Sequence, residues 1–332
     1  MIKRMRKIEE VILKNGNNLK DVLNKCTNTE NLILSGEDLS EVDLEDTNFF
    51  KADLSNSDLR GSNLKYADLR GANLRYANLS GANLSEADLM FADLTNSNLG
   101  KSILMGSKLT KSILTNAHFA CADLRSADLD YSNAEKSFFY KANLSYATFS
   151  ESNLANSDFR FANLLGVSFC KSNLYMSDLN CANLSYSSLK DANLTKATLR
   201  ETNLAVANLD GAKLNNAEFD NNTAFLSLQC PEEGSFIGFK KAGNLIVKLL
   251  ITEDAKRSSS TSRKCRCSKA KVLSITNLDN TKEYKSTQSD YNSYFVYKVG
   301  EIVEENNFDE NRWIACASGI HFFITRQEAV QY

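Results

Sequence analysis

The sequence predicts a mainly β protein in which a long β-helical solenoid follows a short helical cap and precedes a small, mostly β C-terminal domain. Three observations lead to this prediction. A leucine or phenylalanine returns every five residues over most of the chain, the segment before it has helix-like apolar spacing, and the segment after it contains strand-like runs. These changes of pattern predict domains at residues 1–30, 31–225 and 226–332.

The composition narrows the function before any motif is considered. The 39 basic and 41 acidic residues nearly balance, so the overall charge does not favour nucleic-acid binding. The sequence contains no apolar run of about 18 residues that could span a membrane, and Glu9 and Glu10 interrupt the only apolar stretch that could resemble a secretory signal. We therefore expect a cytoplasmic protein of bacterial, phage or similar origin, whose eight cysteines are reduced thiols.

The N-terminal segment, residues 1–30, carries apolar residues at helix-like spacing. They are Val11, Leu13, Leu19, Val22 and Leu23. A solenoid exposes unpaired backbone groups and an open core at each end, so it needs a cap. We predict one or two short helices that cover the first coil.

A period of five residues dominates the middle of the chain. From Leu34 to Phe219, every fifth position is Leu or Phe except Ala134. The position two residues earlier is mostly Ala or Ser, and the residue between the two is usually Asp or Asn. Neither a helix, with its period of 3.6, nor a strand, with its period of 2, explains this repeat.

Two inward positions in every five residues indicate a chain that turns regularly. If each unit of five forms one side, four units close a coil of about 20 residues. Successive coils would then stack at roughly 4.8 Å with backbone hydrogen bonds between them. The repeat keeps its phase without a slip, which predicts one continuous solenoid over residues 31–225.

The stretch "GANLRYANLSGANLSEADL" repeats the pattern Ala-(Asp/Asn)-Leu-x-x. This pattern resembles the pentapeptide-repeat family. The resemblance implies a right-handed quadrilateral β-helix. It also implies a range of functions, because some members mimic DNA in shape and charge and bind type II topoisomerases such as gyrase, whereas many others have no known activity.

The charge of the repeat bears on the DNA-mimic hypothesis. Acidic residues are concentrated between Glu37 and Asp93. The spacing places Asp38 with Asp58 on one predicted face, and Asp68 with Asp88 on another. A DNA duplex carries one charge per roughly 1.7 Å of its axis, and the modest acidic excess of the repeat falls far short of that density. We therefore predict a rigid scaffold that binds a protein partner, and keep a topoisomerase-directed DNA mimic as the alternative.

The C-terminal segment, residues 226–332, changes composition after the only proline, Pro231. Strand-like runs follow, namely "SFIGFKK", "NLIVKLLI", "AKVLSI", "SYFVYKVG" and "WIACASGIHFFITR". Thr325 and Glu328 have the spacing of a helical capping box. The stretches "EGSFIGFKK", "RKCRCSKAKVLSI" and "RWIACASGIHFF" resemble an uncharacterised domain that follows pentapeptide repeats in phage and bacterial proteins. The segment is therefore predicted to be a β-rich (α+β) domain with one or two helices.

A basic loop in this domain is a candidate anion-binding site. Arg263, Lys264 and Arg266 lie in the serine-rich stretch "RSSSTSRKCRCSKAK". Clustered positive charge of this kind attracts phosphates and other anions. The alternative is a solvated, flexible hairpin loop without a ligand.

Cysteines and a histidine in the same domain form two further candidates. Cys265, Cys267, Cys316 and His321 offer four ligands for a tetrahedral zinc ion. Cys316 and His321 alone offer a thiol and a base for catalysis, although "GIHFF" also has the pattern of a core strand. No phosphate-binding loop or metalloprotease motif accompanies them. The sequence therefore favours a non-catalytic function without a cofactor, with an anion-binding or thiol/His enzyme domain as a further alternative.

Overall fold

The structure is a computed structural model that describes residues 32–225, 229–259, 261–290, 295–311 and 317–332. The chain divides into two compact units. The repeat unit extends to Leu204 and takes in Gly211–Thr223, and the C-terminal unit comprises Ala205–Asp210 and Ala224–Tyr332. The predicted helical cap of residues 1–30 lies outside the described residues. No helix in the described part of the chain is long and apolar enough to cross a membrane.

The repeat unit is a β-helical coil with four five-residue sides. Parallel bridges join residues that are 20 apart in sequence, from Ile33 with Asp53 to Thr198 with Glu218. The N–H groups of the Leu and Phe column donate to carbonyls of the next coil, as that of Leu34 does to Asp53 at 2.7 Å. Neighbouring coils therefore satisfy each other's backbone polar groups, as strands of a parallel sheet do. The predicted β-helical solenoid is confirmed.

The two restricted columns of the repeat form its core, as the sequence predicts. The Leu and Phe column is buried from Leu34 to Leu209, and the Ala and Ser column beside it is buried over most of the same length. A serine is tolerated in this wall because its hydroxyl donates to a nearby carbonyl, as Ser57 Oγ does to Leu54 O at 2.6 Å.

Phenylalanines replace leucines in part of the coil interior. Phe119, Phe139 and Phe159 stack on one side, with ring centroids 4.9 and 4.8 Å apart. Phe139 also meets Phe149 edge to face at 5.7 Å within one coil. That coil contains Ala134, which is fully buried. Two large rings thus accompany the one small residue of the column, which supports the interpretation that the phenylalanines adapt to Ala134.

The C-terminal unit contains nine short strands and one helix within its described residues. The strands are β1 (Phe236–Ala242), β2 (Leu245–Ile251), β3 (Arg257–Ser259), β4 (Cys265–Cys267), β5 (Lys269–Asn277), β6 (Ser286–Gln288), β7 (Val296–Lys298), β8 (Ile302–Glu304) and β9 (Ile320–Phe322), and the helix is α1 (Arg326–Gln331). They form antiparallel sheets in the orders β1-β2-β5-β8, β3-β4-β9 and β6-β7. The main core lies between these sheets and includes Val247, Leu249, Cys267, Tyr297 and Phe322.

Most of the predicted strand runs correspond to strands of the structure. β1, β2, β5 and β7 overlap four of them, and β9 occupies Ile320–Phe322 of the fifth. Residues 313–316 of that fifth run lie outside the described residues. The basic stretch predicted as a loop instead contains β3 and β4, which pair antiparallel.

Helix α1 begins with the capping box that its sequence predicts. Thr325 is extended, and its hydroxyl accepts the backbone N–H of Glu328. The Glu328 carboxylate accepts the Thr325 N–H at 3.0 Å in return. This reciprocal pair satisfies two N–H groups that a helix start otherwise leaves without partners.

Candidate functional site

Each five-residue unit of the coil ends in a tight turn that presents one side chain at a corner. At one such turn, the Ala52 N–H donates to the Phe49 carbonyl at 2.9 Å, and Lys51 between them has a φ of 54°. Glycine takes this conformation freely and occupies some corners, such as Gly61 and Gly71. Any other L-residue adopts it at a cost of about 1–2 kcal/mol. A bulky corner residue is therefore retained against a local preference for glycine.

Many corners nevertheless carry a large apolar side chain exposed to solvent. Such residues are between 49 and 66% exposed, and all have a positive φ: Tyr66, Tyr76, Phe91, Tyr131, Tyr146, Phe161, Met176 and Tyr186. We call them the corner aromatics, with Met176 included. Because only residues 20 apart share a corner column, these residues are spread over the four corners of the coil: Tyr66, Tyr146 and Tyr186 on one, Tyr76 and Met176 on the second, Phe91 and Tyr131 on the third, and Phe161 on the fourth. Aromatic residues are enriched in protein interfaces.

Four residues of two successive coils, of which Phe161 is a corner aromatic, contact one another and form what we call the Tyr140 cluster. Tyr140 and Phe161 meet edge to face, with ring centroids 5.7 Å apart. The Lys141 Nζ lies 5.2 Å from the Tyr140 centroid and 5.9 Å from the Phe161 centroid. The Arg160 guanidinium lies 5.7 Å from the Tyr140 centroid and also pairs with Asp158 at 2.7 Å. The cluster combines aromatic area with cations, which is the composition of interface hot spots.

A second corner column has similar chemistry. The Lys111 Nζ lies 5.6 Å from the Phe91 centroid and 6.0 Å from the Tyr131 centroid, so one cation lies between two aromatic rings on the coils before and after its own. The corner residues also pack against one another elsewhere. A Cβ added at Gly166 would lie 2.8 Å from the Tyr146 ring, so that ring occupies the space beside the glycine.

The predicted acidic faces are present as columns. Parallel bridges join Asp38 with Asp58 and Asp68 with Asp88, so each pair lies on one face of the coil. Within each column, the carboxylates also accept hydrogen bonds from backbone N–H groups. The Ser40 N–H, for example, donates to Asp38 Oδ1 at 3.1 Å.

Arginines neutralise much of this acidic surface. Arg60 Nε donates to Asp58 Oδ1 at 2.8 Å, and Arg70 Nη2 donates to Asp68 Oδ2 at 2.6 Å. Hydrogen bonds from Arg60 and Arg70 are the largest influence on the pKa values of Asp58 and Asp68, and they lower both below the ordinary range. Further along the coil, Asp93, Asp123 and Asp158 each pair with an arginine as well. Arginine side chains therefore place positive charge along the acidic columns.

The structure places the three predicted anion-binding residues in different environments. Arg263 is exposed and donates to Glu328 Oε1 at 2.7 Å. Lys264 Nζ donates to Tyr332 Oη at 2.9 Å. Arg266 is only 2% exposed, and its guanidinium donates to the backbone carbonyls of Asp309, at 3.0 Å, and Asn311.

The prediction of a solvated basic loop is therefore corrected. Ser258, Ser259 and Thr261 beside these residues are buried, because the stretch forms the β3–β4 hairpin. Arg266 lies inside the domain and serves its packing. Among the described residues, two cavities of the C-terminal unit are lined by Lys264, and neither is lined by Arg263 or Arg266.

The register of β4 and β9 separates the members of the predicted zinc set. Arg266 lies directly opposite His321, so their side chains share a face of the sheet. Cys265 and Cys267 are one residue away on each side and face the opposite way, into the core. His321 and the two cysteines therefore cannot converge on one ion from the same face. The described residues contain no group of three potential ligands for a metal ion.

The predicted catalytic pair cannot be placed as a pair, because Cys316 lies outside the described residues. His321 is half-buried and lines the cavities of the C-terminal unit. The other described cysteines of this domain are buried away from solvent, and burial does not favour the reactive thiolate form. Burial raises the pKa of the Cys267 thiol to about 12, which keeps it protonated and unreactive at neutral pH.

A cleft that sequence reasoning missed lies beside His321. Two adjoining cavities of about 190 and 320 Å³ share the lining residues Lys240, Lys264, His321 and Tyr332, which we call the Lys240 cleft. Lys240 lies on β1 opposite the buried Val247. Successive side chains of β1 point to opposite faces of the sheet, and Lys240 points to the same inward face as Gly238 and Ala242. A lysine at an inward-facing position of a predicted strand is the sequence feature that could have revealed the site.

Comparison with known proteins identifies the repeat. The family model for pentapeptide repeats matches residues 34–65, 62–100, 102–139, 139–174 and 177–216, which together cover more than half of the chain. The chain therefore belongs to the pentapeptide-repeat family. Residues 226–329 match the model of a family of unknown function, DUF5758. No curated protein matches the chain.

Several solved structures are similar to part of the chain. HetL, a pentapeptide repeat protein involved in heterocyst differentiation regulation from the cyanobacterium Nostoc sp. strain PCC 7120, is 31% identical over 57% of this chain and 89% of its own, with a TM-score of 0.43. QnrB1, a plasmid-mediated fluoroquinolone resistance protein, is 24% identical over 57% of this chain and 91% of its own, with a TM-score of 0.36. A pentapeptide repeat protein from the Arabidopsis thaliana thylakoid lumen is 30% identical over 32% of this chain and 73% of its own, with a TM-score of 0.20.

Proposed function

We propose that the protein is a non-catalytic interaction scaffold whose repeat, residues 31–225, binds a protein partner through the corner aromatics. One observation carries this proposal: large apolar side chains stand exposed at positive-φ turns, where glycine or asparagine would cost less. A surface retained against local stability serves something other than folding. The Tyr140 cluster is the proposed centre of the contact.

The backbone of the coil suits this role. Hydrogen bonds between successive coils hold corners of the coil at repeating positions, as the bonds from the Lys141 N–H to Arg160 O at 3.0 Å and from the Phe161 N–H to Asn180 O at 3.1 Å illustrate. A rigid surface loses little conformational freedom when a partner binds, which favours affinity. We further propose that the protein acts in the cytoplasm, because Cys121, Cys170 and Cys181 of the repeat are free thiols and reduced thiols are typical of that compartment.

The DNA-mimic alternative receives less support from the geometry. A mimic of a duplex needs a dense and continuous negative surface. On the coil, the carboxylates of Asp58 and Asp68 are bound by Arg60 and Arg70, and cations near aromatic rings interrupt the remaining surface. We therefore propose a partner that is recognised through aromatic and cationic contacts, and treat a topoisomerase bound through the acidic faces as the competing outcome.

Capture from a host-like lysate with matched variants tests the proposal. The full chain serves as bait in three forms: wild type, the double variant Tyr140→Ser with Phe161→Asn, and Lys136→Asn. Phe161 and Lys136 both occupy corners with a positive φ, and both variants place an asparagine there. We expect a protein that wild type and Lys136→Asn recover equally and that the double variant loses by at least about tenfold, as removal of interface hot spots does.

The result is then checked with the recovered protein in purified form. Its dissociation constant should rise for the double variant and stay unchanged for Lys136→Asn. If the double variant binds every recovered protein as tightly as wild type, the Tyr140 cluster is not the recognition surface and the proposal is wrong.

A further inference from the structure

Lys240 occupies a position that the fold would normally give to an apolar side chain. It lies on β1 between Gly238 and Ala242, which face the main core, and opposite Val247, which is fully buried. Its ammonium lies 5.8 Å from the ring centroid of Tyr297, a residue that is 1% exposed. Burying an ammonium group is expensive unless something compensates its charge. A cavity beside Lys240 has room for a group that compensates this charge.

A second ammonium group faces the same space. Lys264 lines both cavities with Lys240, and its charge adds to the effect of burial, so that the pKa of Lys240 falls to about 8. Asp290 at one side of the cleft acts in the opposite direction and raises that pKa. Its carboxylate accepts the Gly243 N–H at 2.9 Å. Among the described residues, no carboxylate lies within ion-pair distance of either lysine ammonium.

Cys267 and Tyr297, which also lie around Lys240, supply no negative charge, so the carboxylates that line the cleft are those of Asp290 and Glu305. Burial raises the pKa of the Cys267 thiol to about 12, and burial also raises that of the Tyr297 hydroxyl, so both are neutral at pH 7. His321 lines the cleft from β9, and Glu305 lines its far side, where it accepts the Asn307 N–H at 3.1 Å. Two cations thus share a partly desolvated cleft, and their repulsion would be relieved by an anion.

The remaining walls are aromatic. Phe323 lines the smaller cavity, Phe295 and Tyr297 line the larger one, and Tyr332 lines both. The Tyr332 hydroxyl accepts from Lys264 Nζ at 2.9 Å, which holds its ring at the mouth of the cleft. A cavity of about 320 Å³ is at the lower end of the size of small-molecule sites, which are mostly apolar with a few polar groups that fix orientation.

We propose that the Lys240 cleft is a binding site for a small aromatic anion, whose negative group lies between Lys240 and Lys264 and whose ring packs against Tyr332 and Phe295. A phosphate or a carboxylate meets the requirement of the two ammonium groups. The site belongs to the C-terminal unit by itself and is independent of the function proposed for the repeat.

Pyridoxal 5′-phosphate is a suitable probe, because it joins an aromatic ring, a phosphate and an aldehyde. Its aldehyde carbon condenses with the neutral amine of a lysine and releases water. Borohydride then delivers a hydride to the imine carbon while the nitrogen takes a proton from solvent, which leaves a stable secondary amine for peptide mapping. On the full-length protein at pH 7.5, we expect Lys240 to be labelled at least about tenfold faster than Lys248, because burial lowers the pKa of Lys240 to about 8 and leaves more of its amine neutral at this pH. Lys248 is exposed and lies on the opposite face of the same sheet.

5-Deoxypyridoxal, which lacks both the phosphate and the hydroxyl that would close a hemiacetal on the aldehyde, separates binding from reactivity alone. It carries the same ring and aldehyde, so an anion site predicts that it labels Lys240 at least about tenfold more slowly than the phosphate ester does, and that phenyl phosphate protects Lys240 from the ester. If the two aldehydes label Lys240 equally, or if phenyl phosphate gives no protection, Lys240 is merely a reactive lysine and the proposal is overturned.

A variant locates the anion within the cleft. Lys264→Met removes the second ammonium group and leaves Lys240 in place. We expect the preference for the phosphate ester at Lys240 to disappear, whereas Lys248→Met leaves it intact. A Lys264→Met protein that keeps the full preference contradicts the assignment of Lys264. The wild-type comparison of the two aldehydes does not depend on how well any variant folds.

Discussion

Single residues at the corners of the coil show where local stability and surface function compete. Tyr186 has a φ of 60° and is 66% exposed, so its ring gains little from burial while its backbone adopts the conformation that glycine and asparagine prefer. Asn156 occupies the equivalent position at another corner with the same φ. Because Tyr186 and Asn156 share the same φ, a comparison of the two positions separates the free-energy cost of the side chain from that of the turn.

We predict that Tyr186→Asn stabilises the protein. The substitution removes a strained aromatic residue from a left-handed position and should raise the free energy of unfolding by about 1 kcal/mol. The measurement is the shift of the urea midpoint at constant m-value. The reverse change, Asn156→Tyr, should lower the free energy of unfolding by a similar amount, and a Tyr186→Asn protein less stable than wild type would show that the tyrosine is held by contacts of its own.

Lys240 makes stability depend on pH in a direction that can be tested. Its pKa is about 8 in the folded protein and 10.5 in its ordinary state. Between these two values the unfolded chain binds the extra proton, so stability rises with pH over this range. We therefore predict that the free energy of unfolding of wild type, minus that of Lys240→Met, increases from pH 8 to pH 10.5.

The difference between the two proteins is the informative quantity in that experiment. The Cys267 thiol, with its pKa raised to about 12, makes stability fall with rising pH in both proteins, so its effect cancels. A flat difference over this range, measured by urea denaturation at closely spaced pH values, would show that Lys240 titrates normally.

At the scale of the elements, side-chain ladders explain why the third column of the repeat is Asn or Asp. Asn163 Nδ2 donates to Asn143 Oδ1 at 3.2 Å, and Asn183 Nδ2 donates to Asn163 Oδ1 at 3.3 Å. The same oxygens accept a backbone N–H two residues on, as Asn183 Oδ1 does from Ser185. One short amide thus joins its own turn to the neighbouring coils.

The coil that contains Ala134 is predicted to resist a larger residue. Ala134 is fully buried in the same coil as Phe139 and Phe149, which already supply the volume of the interior. Ala134→Leu restores the repeat pattern, yet we expect it to lower the free energy of unfolding by about 1–3 kcal/mol, because extra atoms force a packed core apart.

Urea denaturation of two proteins checks that expectation. The double variant Ala134→Leu with Phe149→Leu returns the coil to the common pattern and should recover most of the loss. A single Ala134→Leu variant that is more stable than wild type would reveal space beside Ala134 and refute the account of the phenylalanines.

The strands of the C-terminal unit show the limit of pattern reading at this scale. Longer runs such as β2 and β5 are rich in β-branched and apolar residues and were predictable. β4 was not, because Arg266 lies at its centre between two cysteines. The strand forms through pairing with β3 and β9, and Arg266 is accommodated by carbonyls from residues more than 40 positions away. Such tertiary compensation leaves no local signal.

At the scale of the whole molecule, the distribution of charge decides between the two proposed modes of recognition. The quadruple variant with Asp38, Asp58, Asp68 and Asp88 all changed to Asn keeps the side-chain oxygens that accept backbone N–H groups and removes four negative charges. We predict that it captures the same protein partner as wild type with an unchanged dissociation constant. A loss of at least about tenfold in affinity, with a topoisomerase as the partner, would support DNA mimicry, whose binding rests on charge.

The sequence by itself determined the repeat. A strict period of five, with two inward positions in each unit, has few solutions that bury every apolar residue, and the coil, its buried columns and the alignment of Asp38 with Asp58 all followed from counting. The family likewise followed from the motif. Short-range rules were sufficient because each unit contacts only its neighbours in the coil.

Only the tertiary structure decided the surface chemistry and the C-terminal sites. It paired the acidic columns with arginines, grouped Tyr140 with Phe161, turned His321 away from Cys265 and Cys267, and brought Lys240 and Lys264 into one cleft. These residues lie far apart in sequence or differ only in the face that a strand presents. Strand register and side-chain direction fix such contacts, and both are set by long-range pairing that a linear pattern does not encode.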